Sequence, residues 1–213
     1  IGLAAFNAVR SRGRSRLGLS SGLRGNGMCL SIDALRAVPY RATSLVEDIE
    51  YGLHLGEAGI RVEYAPEARV SSDVPAFSRE AEAERRRWED GRRSLVSRAP
   101  RLFALCARRR DAMLLDLAAD LLIPPLSTLV GAAAIGFAAS LALGFQVAAA
   151  LHGLSVVLLA VYVARGWVLS GTGLRGLAAL AYAPIYLAWK LGLALAPHRA
   201  CAWDGASRVP RAA

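Results

Sequence analysis

A chain of 213 residues with 26 lysines and arginines against 17 aspartates and glutamates has room for one modest domain and a membrane anchor. The net charge of +9 does not signal nucleic-acid binding, because basic residues are not interleaved with aromatics and many arginines in 79–93 sit beside Glu or Asp. Cys29, Cys106 and Cys201 form no CxxC and no Cys/His cluster, so neither a zinc site nor a disulfide framework is supported, and the three histidines are scattered.

The distribution of charge divides the chain. Every acidic residue except Asp204 lies at or before Asp120, and 121–164 contains no charged residue at all. A charged block is followed by a hydrophobic one. The chain opens on Ile1 with no basic segment leading into an apolar one, so no signal peptide is expected and sequence is expected to be missing upstream.

Residues 1–24 read as a solvated loop or helix bearing Arg10, Arg12, Arg14 and Arg16. The glycines of Gly25-Asn26-Gly27 permit a tight turn or a close backbone approach, and the apolar run after them reads as a short buried strand ending at Ile32. Ser44-Leu45-Val46-Glu47 has the form of a capping box, with Leu45, Ile49 and Leu53 making one apolar face until Gly56 and Gly59 end the helix. Arg61 to Ala65 alternates like a half-buried strand, closed by Pro66, and Ala68-Arg69-Val70 adds a second short piece.

The run from Ser78 to about Ser97 is rich in Ala, Glu and Arg, a strong helix former, and Pro100 interrupts it. Residues 99–116 then read as a basic amphipathic helix suited to a membrane surface. Two spans are expected at about 121–143 and 147–165, with a turn near Gly144-Phe145-Gln146 and a third apolar segment at 176–196 containing Pro184 and Lys190. Arg108, Arg109 and Arg110 before the hairpin, and Arg165 and Arg175 after it, put both ends on the cytoplasmic side. A basic tail occupies 199–213.

Three motifs occur in order: Gly25-Asn26-Gly27-Met28, then Val46-Glu47-Asp48 at a helix start, then Glu84-Arg85-Arg86-Arg87-Trp88 followed by Gly91-Arg92. Together with the basic helix and hydrophobic hairpin they resemble family 2 glycosyltransferases of the cellulose-synthase, chitin-synthase and N-acetylglucosaminyltransferase kind. The resemblance covers nearly the whole chain and implies the C-terminal portion of such an enzyme. The implied architecture is the acceptor-side half of an α/β domain of the GT-A type over 1–98, followed by the basic helix and a transmembrane helical region over 117–198.

The same resemblance assigns roles. Asp48, with Glu47 beside it, is the base that takes the acceptor hydroxyl proton as that hydroxyl attacks the anomeric carbon. A place in the first turn of a helix favours its charged form. Arg87 assists the donor diphosphate and Trp88 stacks on the acceptor sugar, because guanidinium suits phosphate oxygens and an aromatic face suits a sugar ring. Arg92 belongs to the same motif, and Gly25, Asn26 and Gly27 sit beside the acceptor. Glu84 stands where the family usually has glutamine; i,i+3 spacing lets it pair with Arg87, which would weaken phosphate binding.

The implied partners are a nucleotide-sugar donor, a glycan or lipid-linked acceptor and the lipid bilayer, with no nucleic acid. The implied location is the inner membrane, multi-pass, with the catalytic part cytoplasmic. A divalent metal, Mg or Mn, is expected through the missing N-terminal half, since the chain has no Asp-x-Asp, and no metal is expected on this segment alone. The segment by itself is therefore expected not to transfer sugar. A non-catalytic membrane adaptor and a truncated pseudoenzyme remain open as alternatives.

Overall fold

A computed structural model describes residues 1–25, 27–68, 70 and 79–182. Its first helical stretch comprises α1 (Gly2–Ala4), a π-helical segment (Ala5–Arg10) and α2 (Ser11–Arg16). There follow α3 (Ile32–Ala37), α4 (Glu47–Glu57) and α5 (Arg79–Leu95). A single 3-10 turn (Val96–Arg98) leads into α6 (Ala99–Arg109), where Pro100 occupies the first turn, the one place in a helix that tolerates it. The chain continues through α7 (Ala112–Leu122), α8 (Leu126–Ala142), α9 (Gln146–Ser170) and α10 (Gly173–Leu180).

The expected α/β fold is overturned. Among the described residues there is no strand and no sheet. Residues 28–31 are irregular, and Ile32 opens α3, which Ser31 caps by accepting from the Ala34 N–H at 3.1 Å. From Ile60 to Ala65 burial does alternate residue by residue, yet no ladder forms. The Ser21 N–H donates to the Val62 carbonyl at 2.9 Å. Val62 and Tyr64 turn their own N–H groups to hydroxyls instead, Ser20 Oγ at 3.2 Å and Ser15 Oγ at 3.2 Å. Alternation reports which face is buried; a strand also needs a neighbouring backbone to exchange bonds with.

The core lies between α4, α6 and α7. Leu102 and Leu114 are fully buried there with Val46, Leu53, Leu95 and Leu117, each such side chain contributing about 1.5–3 kcal/mol. The apolar side of α6 is used in this core, with Leu102 buried and Phe103, Leu105 and Cys106 packed against it. A second cluster of Leu23, Tyr51 and Leu55 joins the 20–24 segment to the other side of α4.

Two prolines break the chain where the core gives way to apolar helices. Ile123 is extended, as a residue before proline prefers, and α7 and α8 meet at 74° across Ile123-Pro124-Pro125. The chain reverses at Leu143–Phe145 through Gly144, whose φ of 73° is left-handed, and α8 packs along α9. At 25 residues α9 is long and apolar enough to cross a membrane, its rise of about 37 Å exceeding the ~30 Å hydrocarbon layer. The 17-residue α8 meets the same test only together with α7. The third apolar segment is described only through its start in α10; the rest of it and the basic tail lie outside the described residues.

The amino-terminal helical stretch docks on α9 through a small-residue contact. A Cβ at Gly166 would come within 2.6 Å of the Ala5 Cβ and 3.0 Å of its Cα. We predict that Gly166→Ala destabilises the fold by about 1–3 kcal/mol through overpacking. At Gly131 of α8 a Cβ meets nothing within 4 Å, so Gly131→Ala is neutral or stabilising by up to about 1 kcal/mol. Thermal unfolding of both variants in detergent checks the pair.

Candidate functional site

The site grows from the first turn of α4. The expected capping box is not formed: the helix starts at Glu47, with Val46 at its N-cap and no side-chain cap bond. Glu50 takes over that work. Its Oε2 accepts from the backbone N–H groups of Thr43 at 3.0 Å and Ser44 at 2.8 Å, and its Oε1 is ion-paired with Arg98. Arg98 also reaches His54 Nε2 at 2.7 Å. Burial alone would raise the Glu50 pKa, but the N–H bonds from Ser44 and Thr43 and the Arg98 charge hold it below the ordinary glutamate range. The turn thus held leaves Glu47 exposed and Asp48 half-buried at the helix start.

Asp48 is engaged at once with the glycine motif. Its Oδ2 accepts from the Gly25 N–H at 2.8 Å, and its Oδ1 accepts from the Ile49 N–H at 2.8 Å. Gly27 N–H donates to the Arg24 carbonyl at 2.9 Å, closing a turn over Arg24–Gly27, and a Cβ at Gly27 would press on Val70 Cγ2 at 3.1 Å. Asn26 lies outside the described residues.

The third motif reaches the same place through α5. A Cβ at Gly91 would sit 2.8 Å from Val46 Cγ1 and 3.2 Å from Leu45 Cβ, so α5 rests directly on the start of α4. Trp88 and Arg87 precede Gly91 by three and four residues and share its face of the helix. Trp88 is 41% exposed, and Arg87 is partly buried with an interaction of its own. The Glu84 side chain lies outside those described. Arg92 points elsewhere: its Nη2 donates to the Asp120 carbonyl and, at 3.0 Å, to the Ile123 carbonyl, capping α7 at the bend.

Tyr40 adds a ring that sequence reasoning passed over. It packs on Tyr51 with centroids 4.6 Å apart. Partial burial and then the charges of Glu47, Asp48 and Glu50 push its phenol pKa up.

Residues 9–195 match the family described as Glycosyl transferase family group 2. The chain belongs to this family. No curated protein and no solved structure matches it.

In this glycosyltransferase the structure therefore brings together Gly25, Gly27, Glu47, Asp48 and the face of α5 that carries Arg87 and Trp88, whereas Arg92 serves the α7–α8 junction. Among the described residues no group of three or more His, Cys, Asp or Glu side chains converges. Glu50, Arg98 and Tyr40 were missed. The only sequence signal for Glu50 was an acidic residue on the apolar side of α4, one position from Ile49 and three from Leu53.

The Glu50 bonds set an acid limit on stability. The folded-state pKa is depressed, so the stabilisation is complete above the unfolded value of about 4.3 and is lost as pH falls through the lower folded value. We predict that the wild-type unfolding midpoint drops on acidification below about pH 4.5 while Glu50→Gln, already less stable at neutral pH, loses less over the same range. Parallel curves for the two proteins would remove Glu50 from this role.

Proposed function

We propose that this chain carries the acceptor side and the base of an inverting transferase that moves a hexosyl or N-acetylhexosaminyl unit from a nucleotide sugar to a glycan or lipid-linked acceptor, at the cytoplasmic face of the inner membrane. The observation that carries the proposal is the Gly25 N–H bond to Asp48 at the start of α4, against which α5 rests through Gly91, in a member of a glycosyl transferase family.

Asp48 is the base. Its Oδ2 is held by the Gly25 N–H, and the bond fixes the carboxylate without consuming its remaining lone pairs. The acceptor hydroxyl gives its proton to Asp48 as its oxygen attacks the anomeric carbon, and the bond to the nucleoside diphosphate breaks on the opposite side. Trp88 offers the acceptor ring an aromatic face, and Tyr40 offers a second. Arg87 faces the diphosphate. Glu47 is exposed at the same helix terminus and favours that terminus electrostatically.

The apolar α9 and the bent α7–α8 pair hold this site at the bilayer. Support comes from the length and composition of these helices and from the exposed Leu154, Val157, Leu158 and Val161 along α9. Arg108, Arg109 and Arg110 before the hairpin and Arg175 after it favour the cytoplasmic side for both ends.

Sugar incorporation from a panel of nucleotide sugars, by membranes holding the protein together with a donor-binding domain, tests this reading. Asp48→Asn is expected to lower kcat about 10²–10⁴-fold with little change in acceptor KM. Glu47→Gln is expected to lose under about tenfold, and Trp88→Ala to act mainly on acceptor KM. Full turnover by Asp48→Asn would sink the assignment and favour a non-catalytic adaptor.

A further inference from the structure

Helix α7 presents three faces, and only two of them are covered. Leu114, Leu117, Ala118 and Leu121 are buried in the core. Asp116 and Asp120 form an acidic edge, ion-paired with Arg14 and Arg10 of the amino-terminal stretch, Arg14 Nη1 standing 3.3 Å from Asp120 Oδ2. The third face carries Leu115 and Leu122, 49% and 53% exposed, with Ala112 exposed and Ala119 half-buried between and beside them. Positions 112, 115, 119 and 122 follow one another along a single side of a helix. A lone exposed leucine is ordinary, but this stripe is continuous. It runs on through exposed Ile123, Pro124 and Pro125 to the start of α8.

Charge placement sets how deep this helix lies. No charged residue occurs over 121–164, and Asp120 and Arg165 bound that run. The segment Ala5–Arg10 packs on α9, where Ala5 abuts Gly166, the residue after Arg165. Arg10 at the end of that segment holds Asp120. Both ends of the uncharged hairpin therefore leave the hydrocarbon close to the level of α7, and two carboxylates make a deeper position costly. The α7 axis turns 74° from α8 at the prolines. With α8 upright in a bilayer, α7 runs nearly parallel to the membrane plane at its boundary. The apolar side of α6 is occupied in the core, which leaves α7 with the uncovered apolar face.

We propose that Ala112, Leu115, Ala119 and Leu122 rest on a lipid surface, seated about 5–10 Å into the headgroup–acyl boundary, so that α7 is a flat membrane-surface helix and not half of a span. The proposal deepens the membrane placement given above and rests on it, but not on sugar transfer. Its consequence reaches the candidate site. Arg92 of α5 donates to the Ile123 carbonyl at 3.0 Å, at the end of α7, and Gly91 beside it rests on the start of α4. The seat of α7 thus sets the height of α5 and of the α4 turn above the lipid.

Spin labels read that depth directly. Nitroxides are placed by Leu115→Cys and Leu122→Cys in the full chain, after replacement of Cys29, Cys106 and Cys201, in vesicles of phosphatidylcholine and phosphatidylglycerol. Ala112→Cys serves where either leucine variant does not fold. Val157→Cys on α9 and Arg36→Cys on exposed α3 are the references. Collisions with oxygen, which concentrates in lipid, are compared with collisions with a nickel chelate, which stays in water. Labels at 115 and 122 are expected about 5–10 Å below the phosphates, shallower than 157, with nickel collisions several-fold fewer than at 36. Nickel collisions as frequent as at 36 would put the stripe in water and overturn the proposal. Few collisions with either reagent would mean that protein covers it, and a depth equal to that of 157 would make α7 part of a span; each overturns the proposal and leaves the membrane placement standing. A label at 157 found in water overturns both.

Discussion

The structure around the site depends on one buried carboxylate. Glu50 accepts the N–H groups of Thr43 and Ser44 and is paired with Arg98 beyond α5. Those bonds fix the turn that starts α4, and that turn presents Val46 to Gly91 and Asp48 to Gly25. A carboxylate this buried is tolerable only because each oxygen is occupied; removing Arg98 would leave an uncompensated charge, a change that costs about 3–5 kcal/mol in comparable buried pairs. Positioning and stability are therefore set by the same bonds.

A second set of contacts ties this turn to the apolar helices. Ala5 meets Gly166 of α9, Phe6 and Asn7 hold Arg24, and the next residue, Gly25, holds Asp48. On the other side Arg92 caps α7 where the prolines bend the chain toward α8. Charges near such a junction are costly, and here they are arranged as i,i+4 pairs: Arg10 and Arg14 on one helix against Asp116 and Asp120 on another. The start of α4 and the apolar α9 thus share a short bridge of side chains.

Much of the local structure was legible. The Ala, Glu and Arg run from Ser78 gave the helix Arg79–Leu95, and the uncharged run ending at Ala164 gave long apolar helices. The motif order led to Gly25 and Asp48, which do meet, and to the family. That no sheet forms among the described residues was not legible, because the alternation at Arg61–Ala65 reports burial while Val62 spends its N–H on Ser20 Oγ. The capping box failed for a related reason: Ser44 and Glu47 have the right spacing, but Glu50 was the better acceptor for the turn. Arg92 looked like part of the substrate motif, and only tertiary structure could reveal that the bend after α7 needed a donor. The signs of the Arg–Asp lattice were present as acidic residues at i,i+4 on an otherwise apolar α7.

The central claim is that the α5 face bearing Trp88 and the α4 turn bearing Asp48 form one site. The Gly91 Cβ position lies 3.2 Å from the Leu45 Cβ, close to the ~3.5–4.5 Å that a disulfide spans. Cysteines introduced by Leu45→Cys and Gly91→Cys, in the protein held in membranes, provide the measurement. The account predicts rapid formation of a disulfide between them under mild oxidation, read by mass spectrometry of the linked peptides. Two free, alkylatable thiols under the same conditions would contradict it.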